Sequence, residues 1–338
     1  MSDHTVAPAR QDPATSAAPA IVDAGPRRHR ALSVPNSAAL VVFLALEIVY
    51  FSTQSPFFLN TANWINILTA ISVVGVISAG MTILLVAGQV DLSVGSGIAF
   101  AGLVIAKLAP ERGMTIAVLA AVASGIGIGL INAFFVTIVG INALITTLGT
   151  LAVFRGLTLA IGHGQNISID GIGWGLKRPI LDVPLTVFVF LGVALLCALM
   201  LTYTTYGRSL YAIGSNAIAA RLVGLRVRRT LFLAFVSSGL CIGLAALMST
   251  SLVGSTSGTT GTGVELAAIT AVILGGTSLA GGTGGMTGTV LGLLIVGVLG
   301  NGLTLMNVES AWQQVATGTL LILAVSFDRL RQSFVQGA

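Results

Sequence analysis

From Trp64 to Ala109 the sequence is almost continuously apolar, with only Asp91 and Lys107 carrying charge. Wound as one helix at about 1.5 Å per residue, this stretch would reach about 69 Å, more than twice the roughly 30 Å hydrocarbon core of a bilayer. It is also too greasy to lie on the outside of a soluble fold. The stretch must therefore break. Gly88-Gln89-Val90-Asp91 is the only strong punctuation within it.

The rest of the chain follows the same rule. Its mean hydropathy is +0.98 and its charged residues are 8% of the total, against about 25% in an ordinary soluble protein. Apolar runs of membrane-crossing length lie near 37–53, 65–87, 92–109, 115–138, 142–161, 183–203, 231–250, 264–280, 285–305 and 311–327. The expected fold class is an all-α polytopic membrane protein of about ten transmembrane helices. The 42 glycines suit such a bundle, because small residues let helix backbones approach closely.

Three basic segments set the expected orientation. Residues 1–35 form a polar tail ending in Arg27-Arg28-His29-Arg30, too long a polar lead for a cleavable signal and of the composition of a disordered segment. The loop 204–230 carries five of the sixteen Lys and Arg residues, and Arg329 and Arg331 lie in a short tail, 329–338. Ten crossings within 36–328 place all three on one side, which the positive-inside rule makes the cytoplasm. The net charge of +5 is thus a topology signal, and no nucleic-acid partner is expected. Cys197 and Cys241 fall in apolar runs, and His4, His29 and His163 are scattered, so no metal site is expected.

Neither Lys107 nor Lys177, the two lysines, sits in a GxxxxGK[ST] loop, and HExxH is absent. The chain does not read as an enzyme, and any ATP that drives it binds to another chain. Small residues recur at helical spacing in Gly284/Gly288/Gly292, Gly125/Gly129 and Ser93/Gly97/Ala101, strips suited to packing within one subunit. Ile83–Leu103 and Val272–Leu293 resemble each other: an apolar run, a Gly-broken polar turn, then a Gly-rich run. Six crossings apart, they would be parallel copies, and interrupted helices of this kind often border a substrate path.

Asp91 has two compatible readings. Its carboxylate can cap the next helix by accepting the N–H of Ser93 or Val94, or form a polar gate at the cytoplasmic end of a pathway, since a break is tolerated only where protein or water satisfies its backbone. Glu265 reads as a first-turn acid favoured by the helix dipole. Asp91 or Glu265 would be the ion site if the chain were instead an ion-coupled secondary transporter. Glu47 lies inside the first run, where a charge costs about 2.5–3.5 kcal/mol, so it should face protein or the membrane edge. Asn132, Asn142, Thr146, Thr147 and Asn301 are neutral polar residues able to line a path or to bond between helices. In the basic loop, Ser215-Asn216 offers caps, Ala217–Val223 favours a short helix and Gly224 can end it. Composition alone leaves open whether this loop only sets topology or also docks a partner.

The chain resembles the permease subunit of bacterial ABC sugar importers of the ribose/xylose/arabinose type. The matching stretches include Ser55-Pro56-Phe57-Phe58-Leu59, Gly80-Met81-Thr82, Gly88 through Gly95, Thr147-Leu148-Gly149-Thr150, Phe154-Arg155-Gly156, Tyr206-Gly207-Arg208 and Gly214 through Gly224. Gly263-Val264-Glu265-Leu266, Leu274 through Gly282 and Asn301-Gly302-Leu303 follow in order, so the resemblance covers about residues 52 to 327. Gln89 stands where the family has a second Gly, and Asn142-Ala143 where it commonly has Pro.

The resemblance implies an inner-membrane, multi-pass permease with both termini cytoplasmic. It implies a second permease copy, a cytoplasmic ABC ATPase that holds ATP and Mg, a periplasmic sugar-binding protein and surrounding lipid, with no cofactor on this chain itself. Alternating access would then move a monosaccharide past a pathway drawn from Gln89, Asp91, Ser93, Asn132, Thr146, Thr147, Glu265 and Asn301. Gly214, Ser215, Asn216, Ala220, Arg221 and Gly224 would form the ATPase-coupling element.

Overall fold

Apolar length dictates the helices. The first three are α1 (Asn36–Gln54), α2 (Thr61–Val86) and α3 (Val94–Arg112). They are followed by α4 (Met114–Ala133), which continues as a π-helical segment to Val139, and by α5 (Ala143–Gly162) and α6 (Leu185–Tyr203). Two short helices, α7 (Thr205–Ser215) and α8 (Ala217–Leu222), interrupt the series. It closes with α9 (Val227–Val253), α10 (Val264–Leu274), α11 (Met286–Leu305) and α12 (Ser310–Gln336). The structure, a computed structural model, describes residue 2, residues 36–178 and residues 180–336, with backbone only at 36–37 and 327–336. The expected tail 1–35 lies outside the described residues apart from Ser2, as do the last two residues of the tail expected at 329–338.

Ten of these helices coincide with the ten apolar runs. Seven segments among the described residues are long and apolar enough to cross a membrane alone: α2, α3, α4 with its π extension, α5, α6, α9 and α11. The protein is an all-α, multi-pass membrane protein. The eighth run departs from its expected length: α10 stops at Leu274 rather than 280, because Gly275-Gly276 ends the helix and Gly276 takes φ +89°. In the other direction, α9 begins at Val227 and draws Arg228 and Arg229 into its first turn, and α12 continues to Gln336.

The core is built around α2 and α9. Residues 75–86 of α2 are buried on every face, the mark of a helix enclosed by other helices. The third helix, α3, packs on α4, α5 and α9, while α10 packs on α11, α12 and α2. The same contact pattern thus recurs five crossings later, and an odd offset makes α2–α5 and α9–α12 antiparallel copies. Gln89-Val90-Asp91-Leu92 and Gly263-Val264-Glu265-Leu266 hold matching places in the two copies. The parallel likeness read between Ile83–Leu103 and Val272–Leu293 is a different relation, and there the two breaks touch. A two-stranded antiparallel ribbon, β1 (Ile167–Ser168) with β2 (Ser255–Thr256), ties the loop after α5 to the loop after α9.

The small-residue strips serve contacts within the chain. Gly125 and Gly129 of α4 face Gly239 and Gly243 of α9; a Cβ on Gly125 would stand 2.5 Å from the Gly243 nitrogen and 2.6 Å from the Gly239 oxygen. Gly288 and Gly292 of α11 lie against Gly275 and the Ala271 carbonyl of α10, while Gly284 belongs to the preceding turn. Overpacking of this kind costs about 1–3 kcal/mol. Gly125→Val should lower the stability of the detergent-solubilised protein by that amount in an unfolding titration. Gly127→Val, two residues on with open space around it, should leave stability nearly unchanged.

Candidate functional site

The break after α2 is held by a buried polar cluster. Asp91 is fully buried, and its Oδ1 accepts the backbone N–H of Ser93 at 2.9 Å; Ser93 is itself the N-cap residue of α3, so this bond closes the turn before the helix and is not the expected helix cap. The same oxygen accepts the Ser93 hydroxyl and, at 3.3 Å, the Asn132 amide from the end of α4. Oδ2 accepts the Ser238 hydroxyl of α9 at 3.0 Å. The Asn132 amide also donates to Ser93 Oγ at 2.9 Å, and its Oδ1 accepts the Thr150 hydroxyl of α5 at 2.8 Å. Ser93, Asn132 and Ser238 thus close around one carboxylate, with Thr150 behind Asn132, and its partners are all neutral donors.

The structure brings together three of the eight residues assigned to the pathway: Asp91, Ser93 and Asn132. Gln89 sits half-buried just before them, its backbone N–H bonded to Leu84 O at 2.9 Å. Thr146 and Thr147 are buried one turn before Thr150; their carbonyls both accept its hydroxyl at 3.2 Å, and the Thr146 hydroxyl has no hydrogen-bond partner among the described residues. Glu265 and Asn301 stand apart from this cluster. Asn301 forms a reciprocal amide pair with Asn63 of α2, 2.9 Å in each direction. Thr150 and Ser238 complete the cluster and were not singled out from sequence. Thr150 had a signal, standing four residues after Thr146 on the same helical face.

Glu265 opens α10 as a first-turn acid, with Oε1 accepting the Gly263 N–H at 3.2 Å. Its Oε2 is buried without a hydrogen bond among the described residues and lies where a Cβ on Gly95 of α3 would stand. Close by, Arg155 of α5 spends its guanidinium on the carbonyls of Gly258 and Thr260, at 2.6 and 2.8 Å, and so pins the loop that leads into α10. Glu47 is half-buried in α1, with Oε2 buried and without a hydrogen bond among the described residues. A recess of about 460 Å³ opens between α2, α9 and the start of α10, with Asn66, Thr69 and Ser249 as its polar wall. None of the eight pathway residues lines it.

At the other end of α2 lies the basic loop. Asn216 caps α8, its Oδ1 accepting the N–H groups of Ile218 and Ala219 at 3.0 and 2.9 Å. Gly224, at φ +87°, turns the chain out of that helix. These are the capping and stopping roles expected of the two residues. The loop holds one more helix than its sequence suggested: α7, capped by Thr204, which buries Gly207, Leu210 and Ile213 on one face. Ala220 is the buried anchor of α8, packed with Ile213 and Val227. Outside that anchor, Ile218, Leu222 and Val223 are 76%, 83% and 78% exposed. Beside them a recess of about 410 Å³ is lined by Arg221, Arg226, Arg228 and Arg229. Ile218, Leu222 and Val223 thus form an exposed apolar ridge flanked by arginines.

Comparison with known proteins places this geometry in context. Residues 63–325 match the family model described as "Branched-chain amino acid transport system / permease component". The ribose import permease protein RbsC of Escherichia coli (strain K12) is 39% identical over 303 residues, 87% of this chain and 92% of the relative. The D-allose transport system permease protein AlsC of the same strain is 36% identical over 293 residues, 85% of this chain and 90% of its own. The L-arabinose transport system permease protein AraH, also of that strain, is 37% identical over 306 residues, with 87% and 90% covered.

The Asp91 cluster joins the α2–α3 break to α4 and α9, and α4 to α5, so loss of one of these bonds should be felt at a distance. Thr150→Val keeps the shape and leaves Asn132 Oδ1 buried without its donor, at a cost of about 1–3 kcal/mol. Ser238→Ala should cost a similar amount. The double variant should deviate from additivity, because both groups belong to one network; chemical unfolding of the four proteins measures the coupling.

Proposed function

This chain belongs to the family of permease components of branched-chain amino acid transport systems, and from that premise we propose that it is the membrane subunit of an ATP-binding-cassette importer for a monosaccharide. The observation that carries the substrate class is the alignment, nearly end to end, with permeases named for ribose, D-allose and L-arabinose. All three substrates are neutral and rich in hydroxyls. A carrier for such cargo needs neutral hydrogen-bonding groups more than fixed charges. The same relatives favour an ATP-driven permease over the ion-coupled alternative built on Asp91 or Glu265.

In this reading the energy source lies outside the chain. A cytoplasmic ABC ATPase holds ATP and Mg, a periplasmic sugar-binding protein delivers the cargo, and a second permease copy, identical or related, completes the pathway. The basic end of the bundle then faces the cytoplasm of an inner-membrane protein, with both termini on that side. The α7–α8 element is the coupling element, built on Gly214, Ser215, Asn216, Ala220, Arg221 and Gly224. Its exposed apolar ridge and arginines support this assignment, because an uncovered Ile218, Leu222 and Val223 are costly in water. ATP binding favours one state of the ATPase pair, and closure of that pair moves the element and switches the pathway between its two sides.

The pathway assignment follows the same reading. Gln89, Asp91, Ser93 and Asn132 gather at the break beside the coupling element, with Thr146 and Thr147 next to them. Glu265, with its neighbour Arg155, lies against Gly95 in the first turn of α3, on the far side of the same break. Asp91 and Ser93 serve it by fixing the wall of the pathway and not by touching sugar in the state described, since both are fully buried.

Two measurements test this reading. Vesicles carrying the chain with its neighbouring ATPase and binding protein should take up one monosaccharide from a radiolabelled panel only with ATP inside. Uptake that ignores ATP and collapses with an ionophore overturns the proposal. Separately, Arg221→Glu with Gly224→Pro should abolish uptake while the protein still inserts, because proline fixes φ near −65° where Gly224 needs a positive value. Wild-type uptake in that double variant removes the coupling role.

A further inference from the structure

The end of α7 touches both helix breaks at once. A Cβ on Gly281 would stand 2.8 Å from the nitrogen of Gly88, in the α2–α3 break, and 2.9 Å from the Cα of Gly214, in the last turn of α7. Gly214 in turn leaves no room for a side chain against the Val86 carbonyl and the Gly282 nitrogen, and Gly282 lies against Ser215. Hydrogen bonds tie the same three segments. The Gly282 N–H donates to Val86 O at 2.8 Å, joining the α10–α11 break to the end of α2. The Tyr211 hydroxyl donates to Gly284 O at 2.9 Å, joining α7 to the α10–α11 break.

We propose that this meeting of Gly88, Gly214 and Gly281-Gly282 is the joint by which the coupling element moves both helix breaks together, with Tyr211 as its positioning residue. The inference rests on the ATP-driven reading above and adds the route inside the chain. Backbone-to-backbone contact without side chains leaves no rotamer to absorb a displacement, so a shift of α7 is passed on rather than dissipated. The α2–α3 break leads straight to the Asp91 cluster, hence to α4, α5 and α9. The α10–α11 break leads, through Gly275 against Gly288, into α11. One push at α7 therefore reaches both antiparallel copies of the fold. Small shifts are amplified in this way where packed elements hold discrete arrangements.

The test is the number of sugars taken up per ATP hydrolysed, measured on the assembled importer in vesicles. Gly281→Ala inserts a methyl into the joint, and Tyr211→Phe removes only the hydroxyl. Gly281→Ala should lower the ratio by about fivefold or more, the range of ordinary coupling between sites, and Tyr211→Phe should lower it by a smaller factor. Gly127→Ala, in open space on α4, is the control and should keep the wild-type ratio. An unchanged ratio in both test variants overturns the joint, as does a parallel loss of hydrolysis and uptake that leaves the ratio constant. If Gly281→Ala, at φ +88°, fails to insert, Tyr211→Phe decides alone. Absence of ATP-dependent uptake in the wild-type complex is a separate result: it overturns the importer reading itself.

Discussion

A helix interrupted inside an apolar medium leaves backbone donors and acceptors that only the protein can satisfy. This constraint organises the whole fold. The α2–α3 break exposes the N–H of Ser93 and the carbonyl of Val86, and neither finds a partner in its own helix. Asp91 accepts the first and Gly282 donates to the second. The first solution demands a buried carboxylate, which then recruits Ser238 and Asn132 from two other helices. The second demands that the α10–α11 turn lie against the end of α2. Long-range architecture thus follows from two backbone atoms, and the breaks cannot exist without the helices that cover them.

Close approach is what makes the coverage possible. The Gly288 face of α11 against Gly275 just after α10, and the Gly125/Gly129 face of α4 against Gly239/Gly243 of α9, bring backbones to distances at which a Cβ would collide. In lipid the apolar effect does not drive helices together, so packing and hydrogen bonds between helices carry the association. The glycines supply the first and the Asp91 cluster the second. The two contributions also sit on the same helices: α4 brings both its glycine strip and Asn132, and α9 both its glycines and Ser238. A change that opens the glycine seam must therefore stretch the polar bonds as well.

Much of this was legible in the sequence, because the bilayer reads length and apolarity directly. All ten apolar runs became helices, and Asn216 and Gly224 took the cap and stop roles their types suggested. The misses have physical causes. Glycine counts as apolar, so the 264–280 run seemed long enough to span, yet its Gly pairs end α10 at Leu274. The π segment after Ala133 depends on a hydrogen-bond pattern that no side-chain periodicity marks. Helix α7 leaves little trace in the sequence because it buries only Gly207, Leu210 and Ile213 within a polar, basic loop. Asp91, Ser93 and Asn132 stood out singly, but their bond to Ser238 spans 147 positions, and no local pattern in one sequence reports such a contact. Asn301 shows the converse: a polar residue in a span, chosen for a pathway, is found paired with Asn63.

The character of the Asp91 cluster bears on where the driving force enters. An acid that couples ion flow must exchange partners, so it needs a vacancy or a competing cation. Both Asp91 oxygens are engaged by neutral donors in the state described, and Asn132 and Ser238 sit on helices that would have to move for those partners to change. Such a carboxylate is suited to holding two arrangements of helices rigid and ill suited to starting the change between them. In the ATP-driven reading proposed above, the impulse comes from a part of the chain that another subunit can push. The α7–α8 element fits that requirement: its ridge is exposed, its anchor Ala220 is buried, and its inner end rests on both breaks. A rigid cluster joined to an exposed lever is the division of labour expected of a permease whose fuel is burned by another subunit.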